Sequence, residues 1–321
     1  MARRLISTSR SEIRAMSAAE LKESIRDSEG RGVLCQNYVG LHPLVDGSTN
    51  AELAQAFGAD MIFFNGYSMT PGASQPGLQV EQWENGSFVQ KSYRLKDMKA
   101  LIHVPLGIYL ECGTHDVYAT STSGTNLVRT DRVASDENLR RVLEEQADFV
   151  ILAGNPGSGT SIRDAVACTR WVKETYGDRV FIFAGKWEDG SGEKVLGDPL
   201  ADYDAKQIIR ELIDAGADCI DLPAPGSRHG LSVAMIQKLV QYVHSYKPGT
   251  LAMTFLNSSV EGADPDTVRL IALMMKQTGA DIHAIGDGGF AGCTSPENIH
   301  QLSVSIKGRP YTYFRMASTN I

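Results

Sequence analysis

Cysteine is scarce in this chain of 321 residues: there are five, at positions 35, 112, 168, 219 and 293, with no Cys-x-x-Cys pair. An odd, dispersed set excludes a disulfide framework and a structural zinc site, and points to a reducing, cytoplasmic setting. Long apolar runs are also missing. No stretch approaches the roughly 20 residues of a membrane span, and Leu5 to Arg10, behind the basic Met1 to Arg4, is too short for a signal segment. No membrane partner is therefore expected. Basic charge is thin as well, with 31 Lys and Arg against 38 Asp and Glu for a net charge of -7. No segment collects the basic stripe that a phosphate backbone requires, so nucleic acid is not an expected partner. What is present, 42% hydrophobic residues with 31 Gly and 12 Pro, is the composition of a folded protein.

One phrase recurs along the chain: Phe57-Gly58-Ala59-Asp60-Met61-Ile62, Gln146-Ala147-Asp148-Phe149-Val150, Ala215-Gly216-Ala217-Asp218-Cys219-Ile220 and Thr278-Gly279-Ala280-Asp281-Ile282. Each copy follows an amphipathic stretch and opens an apolar run, which marks a helix-to-strand joint. Four further apolar runs lie between them, at 33–36, 105–110, 180–184 and 251–255. Strand-helix alternation with near-continuous apolar strands predicts a parallel sheet covered by helices, and eight such units predict a closed (β/α)8 barrel. A doubly wound open sheet is the alternative. The predicted organisation is a helical N-terminal extension over residues 1–30, centred on Ala18 to Ile25, and a barrel over 31–321.

The loops have a polarity. Helix-to-strand joints are short, whereas strand-to-helix connections are long, at about 66–94, 111–134, 154–160, 185–202 and 286–295. Barrel chemistry is built from the latter set, at the C-terminal face. The first long loop contains a predicted hairpin, about 78–91, turning at Asn85-Gly86. It is expected to serve as a lid or as a contact in a homo-oligomer.

Candidate residues follow from strand ends. Ile285-Gly286-Asp287-Gly288-Gly289 closes strand eight, and Ser258 and Ser259 follow strand seven. Glycines let the backbone approach an anion, so Ser258, Ser259, Gly286, Gly288 and Gly289 are the expected phosphate site. Lys186 closes strand five, Glu111 strand three and Asp287 strand eight. A partly desolvated amine suits Schiff-base or charge-pairing work, and the two carboxyls suit acid and base roles. Glu111 with Asp116 or His115 could alternatively hold Mg. Asn37, Asn65 and Asn155 are suited to substrate hydroxyls, although Asn also forms turns. The loop Gly154 to Ser161 lacks the Lys of a P-loop. His283 reads as a core residue, and Cys112 lacks a His at nucleophile spacing.

From about 31 to 317 the chain resembles a family of bacterial (β/α)8 proteins labelled phosphonomutase-like or haloacid-dehalogenase-like. The resemblance rests on Thr49-Asn50-Ala51-Glu52-Leu53, Ala153-Gly154-Asn155-Pro156-Gly157, Ala184-Gly185-Lys186, Leu222-Pro223-Ala224-Pro225-Gly226, Glu261-Gly262-Ala263-Asp264 and Gly286-Asp287-Gly288-Gly289. It implies a phosphorylated carbohydrate ligand. Val33 to Asn65 also looks like the opening of the phosphoenolpyruvate mutase and isocitrate lyase superfamily, but Tyr109-Leu110-Glu111-Cys112-Gly113 stands where that superfamily carries its Asp-rich magnesium segment. The expectation is an isomerase or carbon-carbon lyase of a sugar phosphate. A magnesium-dependent carboxylate or phosphonate lyase and a non-catalytic sugar-phosphate-binding regulator are the alternatives.

Overall fold

A computed structural model describes residues 3–113, 130–155, 158–188, 192–288 and 292–317. The recurring phrase has a physical cause. Two residues before each Asp, the backbone turns left-handed, at Gly58 (φ 106°), Gln146 (φ 60°), Gly216 (φ 105°) and Gly279 (φ 81°), which stops the helix. The Asp then grips the preceding strand twice at one residue. Its N–H donates to the carbonyl of Val33, Leu106, Ile182 or Ala252, at 2.8, 2.8, 2.9 and 2.8 Å. Its carboxylate accepts the N–H of that same residue, at 3.1, 2.8, 3.1 and 2.8 Å. A basic side chain meets each carboxylate in turn: Lys307 and Arg315 at Asp60, Lys99 at Asp148, Lys22 at Asp218 and His244 at Asp281.

These joints feed a closed barrel of parallel strands: β1 (Gly32–Tyr38), β2 (Met61–Asn65), β5 (Leu106–Glu111), β6 (Phe149–Ala153), β7 (Phe181–Gly185), β8 (Cys219–Pro223), β9 (Leu251–Leu256) and β10 (Ile282–Ile285). Strands β3 (Gln79–Glu84) and β4 (Ser87–Ser92) form a separate antiparallel hairpin. Asn85 and Gly86 both have positive φ, the tight turn whose twist suits a hairpin. The helices are α1 (Arg10–Ala15), α2 (Ala18–Arg26), α3 (Asn50–Ala56), α4 (Leu95–Leu101), α5 (Asp136–Glu144), α6 (Ile162–Tyr176), α7 (Ala205–Ala215), α8 (Val233–Tyr246), α9 (Pro265–Gln277) and α10 (Pro296–Ala317). Helix α10 kinks at Gly308, ahead of Pro310. The (β/α)8 barrel expected from the sequence is the fold. Among the described residues no helix is long and apolar enough to cross a membrane.

Two apolar layers hold the barrel. The outer one lies between strands and helices. The inner one contains Leu34, Phe63, Phe149, Ile151, Phe181, Phe183 and Met253, and it is joined by Leu5, Ile13, Leu21 and Ile25 from the N-terminal segment. Leu5, Ile13, Leu21 and Ile25 thus close the barrel floor. Burying each of those four side chains is worth about 1.5–3 kcal/mol. Arg315 of α10 binds this segment from outside, donating to the Leu5 carbonyl at 2.7 Å.

Candidate active site

The period of two along a strand decides which residues enter the barrel mouth. Inward positions run Leu34 and Gln36 on β1, Phe63 and Asn65 on β2, and Tyr109 and Glu111 on β5, in the register of the paired strands. The mouth has an aromatic floor. Trp187, just past β7, stacks on Phe255 with centroids 4.9 Å apart and stands edge-on to Tyr109 at 6.1 Å.

Above that floor the polar groups form linked sets. Asn65 and Asn155 pair amide to amide, at 2.9 and 3.1 Å. Asn155 also donates to Glu111 from its backbone N–H at 2.9 Å and from its side-chain amide. Burial pushes the Glu111 carboxyl up to about 7 against these donors and the nearby Arg132, all of which favour the ionised form. Opposite, Asn257 donates to Glu188 and accepts from Arg228 at 2.9 Å. Burial again leads in raising Glu188 to about 7, helped by Asp287 and Glu111 and opposed by Arg228 and Asn257. The third set is Gln36, which donates to Asp287 at 2.8 Å, with Glu261 beside it. Burial, then Asp287 and Glu188, push Glu261 up to about 9. Two carboxyls therefore titrate near neutrality within one another's field, which is the arrangement that acid-base chemistry needs.

Of the residues singled out in the sequence, Glu111, Asp287, Asn65 and Asn155 stand in this mouth. Asn37 does not. It has the outward parity, and its amide lies 3.3 Å from the Cys293 sulfur, while its neighbour Gln36 enters the mouth. Lys186 lies just past the end of β7. It shares the outward parity of Ile182 and Ala184, is buried, and meets Glu193 at 4.0 Å, a carboxylate that also accepts the Ile162 N–H at 2.8 Å.

Gly286 and Gly288, after β10, are engaged within the chain. Gly286 N–H donates to the Leu256 carbonyl at 2.9 Å, and Gly288 N–H donates to Glu261. A Cβ on Gly286 would overlap the Glu261 carboxylate. The acidic group that Gly286 and Gly288 accommodate is the chain's own Glu261. Ser258 and Ser259 lie at the open end of β9, directly after Asn257, which accepts from Arg228. Gly289, His115 and Asp116 lie outside the described residues. Among the described residues no group of three His, Cys, Asp or Glu side chains is arranged to hold a metal ion. His283 is a satisfied core residue, bonded to Thr254 at 3.0 Å and to the Gly30 carbonyl at 3.2 Å; burial pushes it down to about 4.

Sequence reasoning passed over Gln36, Glu188, Arg228 and the role of Glu261. Parity would have found the first, since Leu34 and Gln36 alternate with the outward Val33 and Cys35. Glu188 lies two residues beyond Lys186, and Glu261 sits inside the Glu261-Gly262-Ala263-Asp264 phrase.

No curated protein matches the chain. Among solved structures, one similar to it is the crystal structure of an archaeal fructose 1,6-bisphosphate aldolase, with 12% identity and a TM-score of 0.54, covering 91% of this chain and 100% of that one. At that identity the likeness is one of fold. A family model described as a domain of unknown function, DUF7916, matches residues 6–321, and the chain belongs to that family.

Proposed function

We propose that the protein is an enzyme that moves protons on a small hydroxylated and phosphorylated metabolite, as an isomerase or carbon-carbon lyase of a sugar phosphate. The observation that carries this reading is the pair Glu111 and Glu188, both raised to about 7 and both held by an Asn at the mouth of the barrel. At neutral pH two such carboxyls are each partly protonated and partly ionised, so both an acid and a base are on hand. The ionised member removes a hydrogen from carbon beside a carbonyl, and the protonated member donates to the carbonyl oxygen as negative charge develops there. Asn65, Asn155 and Gln36 supply the amides that orient hydroxyls. Arg228, with Ser258 and Ser259 beside it, takes the phosphate. Lys186 pairs with Glu193 and stays outside the proton transfer. The reading agrees with the name of the aldolase that shares the fold.

The test is hydrogen exchange. Triose, pentose and hexose phosphates are incubated with the protein in deuterium oxide, and loss of the carbon-bound proton signal is followed by NMR. Exchange is expected with at least one of them, fastest near pH 7, and slowed roughly 10²–10⁴-fold by Glu111→Gln or Glu188→Gln. No exchange with any of these phosphates eliminates the proposal. Borohydride trapping of a substrate on Lys186 would replace it with Schiff-base chemistry.

A further inference from the structure

The two glutamates of the mouth are held by parallel constructions that differ at one point. Glu111, at the end of β5, accepts from the side-chain amide of Asn155, and the oxygen of that amide accepts in turn from Asn65 at 2.9 Å. That chain of bonds leans on a neutral group. Opposite, Glu188 accepts from the side-chain amide of Asn257, and the oxygen of this amide accepts from the Arg228 guanidinium at 2.9 Å. This one leans on a cation. The strand period explains why Asn257 stands there: it lies two residues past Phe255, on the inward parity of β9, and is 6% exposed. Its amide has a single orientation, because a guanidinium only donates and so takes the oxygen, which leaves the NH2 group for the carboxylate.

We propose that Asn257 is a positioning residue through which a phosphate bound at Arg228 fixes the roles of the two glutamates, Glu188 as the acid and Glu111 as the base. The inference rests on the assignment of the substrate phosphate to Arg228, and adds that the substrate's own charge selects the proton donor. A cation on the oxygen of an amide polarises it and strengthens its N–H groups as donors, so Arg228 acting through Asn257 favours ionised Glu188. An anion on Arg228 withdraws that support: it cancels the field of the guanidinium at Glu188 and relaxes the amide, and both effects favour the protonated carboxyl. The other charged groups facing Glu188 are Asp287 after β10, Glu111 at the end of β5 and Glu261 from the turn after β9. All three are acidic and push the same way, with Arg228 opposing them. Glu111 has no such link to Arg228, since its amide partner leans on Asn65, and the nearby Arg132 acts on it separately. Glu188 thus takes one proton from solvent as the anion binds. In turnover it gives that proton to the carbonyl oxygen, while Glu111 takes one from carbon.

The probe is sulfate, a dianion of phosphate shape whose charge does not change across the neutral range. Its binding to the full chain is measured by titration calorimetry, with Arg228→Met as the control. The glutamate carboxyls, isotope-labelled and assigned from Glu111→Gln and Glu188→Gln, are then titrated by NMR with and without sulfate. Sulfate is expected to bind the wild type and not Arg228→Met, to raise the midpoint of Glu188 by about 1 pH unit, and to leave Glu111 in place. In Asn257→Ala sulfate should still bind, with the rise at Glu188 cut to less than about half. Three results would overturn the inference while leaving the phosphate assignment standing: bound sulfate with Glu188 unmoved, both glutamates rising together, or an undiminished rise in Asn257→Ala. Sulfate that does not bind, or that binds Arg228→Met equally well, removes the phosphate assignment and this inference with it. The wild-type titration decides the acid and base roles on its own should Asn257→Ala fail to fold.

Discussion

Glu261 shows how one side chain couples the site to the stability of the fold. The residue is 8% exposed and its carboxyl is pushed up to about 9, chiefly by burial and then by the neighbouring Asp287 and Glu188. A carboxyl raised in the folded state binds its proton more tightly there than in the unfolded chain. Its favourable contribution is complete below the unfolded value near 4.5 and is lost as pH rises through about 9. Glu261→Gln removes that titration while keeping a group that can accept the Gly288 N–H. The variant should match the wild type at pH 4 and exceed it by roughly 1–3 kcal/mol at pH 9, measured by urea unfolding across the range. A difference that does not grow with pH would show that Glu261 does not carry this penalty.

At the scale of elements, the four joints make the fold legible and also show where legibility stops. Glycine supplies the left-handed turn at three of them, and Gln146 must adopt φ 60° at the fourth. A residue with a Cβ carries a cost there that glycine does not. Gln146→Gly should therefore stabilise the protein by about 0.5–1 kcal/mol, seen as a raised thermal midpoint; destabilisation would mean that the Gln side chain contributes more than its backbone costs. The strands themselves were visible as apolar runs, because both faces of a barrel strand are buried and the run is continuous. That same continuity hides which face a terminal residue takes. Asn37 and Lys186 were chosen for their chemistry at strand ends, yet each stands one residue out of phase with the mouth, which Gln36 and Trp187 enter instead. Glu111 and Asn65 end strands on the inward parity and so stand in the mouth. Glu261 lay beyond this reasoning altogether: it comes from the short helical turn at Ser259–Gly262 and crosses to β10 through space left by Gly286, a relation between loops that no period encodes.

For the whole molecule, the four aspartates form a ring at the floor of the barrel, each joining an even strand to the odd strand before it. Their geometry is shared but their surroundings are graded. Asp60, Lys307 and Arg315 all have fully buried side chains. Lys307 also donates to the Gly58 carbonyl at 2.7 Å, and Arg315 spans from Asp60 at 3.1 Å to the N-terminal segment. This group holds three parts of the chain that are remote in sequence: the floor, the second strand and the C-terminal helix. At the other joints the basic side chain is partly solvated, with side-chain exposure of 17% for Lys99, 27% for Lys22 and 39% for His244. Removing one partner of a wholly buried set leaves charge that neither water nor another group can neutralise, whereas a solvated cation relaxes outward. An Asp→Asn series should follow that gradient. Asp60→Asn, which leaves two buried cations, is expected to cost about 3–5 kcal/mol, with smaller losses for Asp148→Asn and Asp218→Asn and the smallest ion-pair loss for Asp281→Asn. Chemical denaturation of the four variants at neutral pH gives the order directly. Equal losses at all four would assign the stabilisation to the shared hydrogen bonds with the strands, and would leave the buried charges at Asp60 without net effect on the fold.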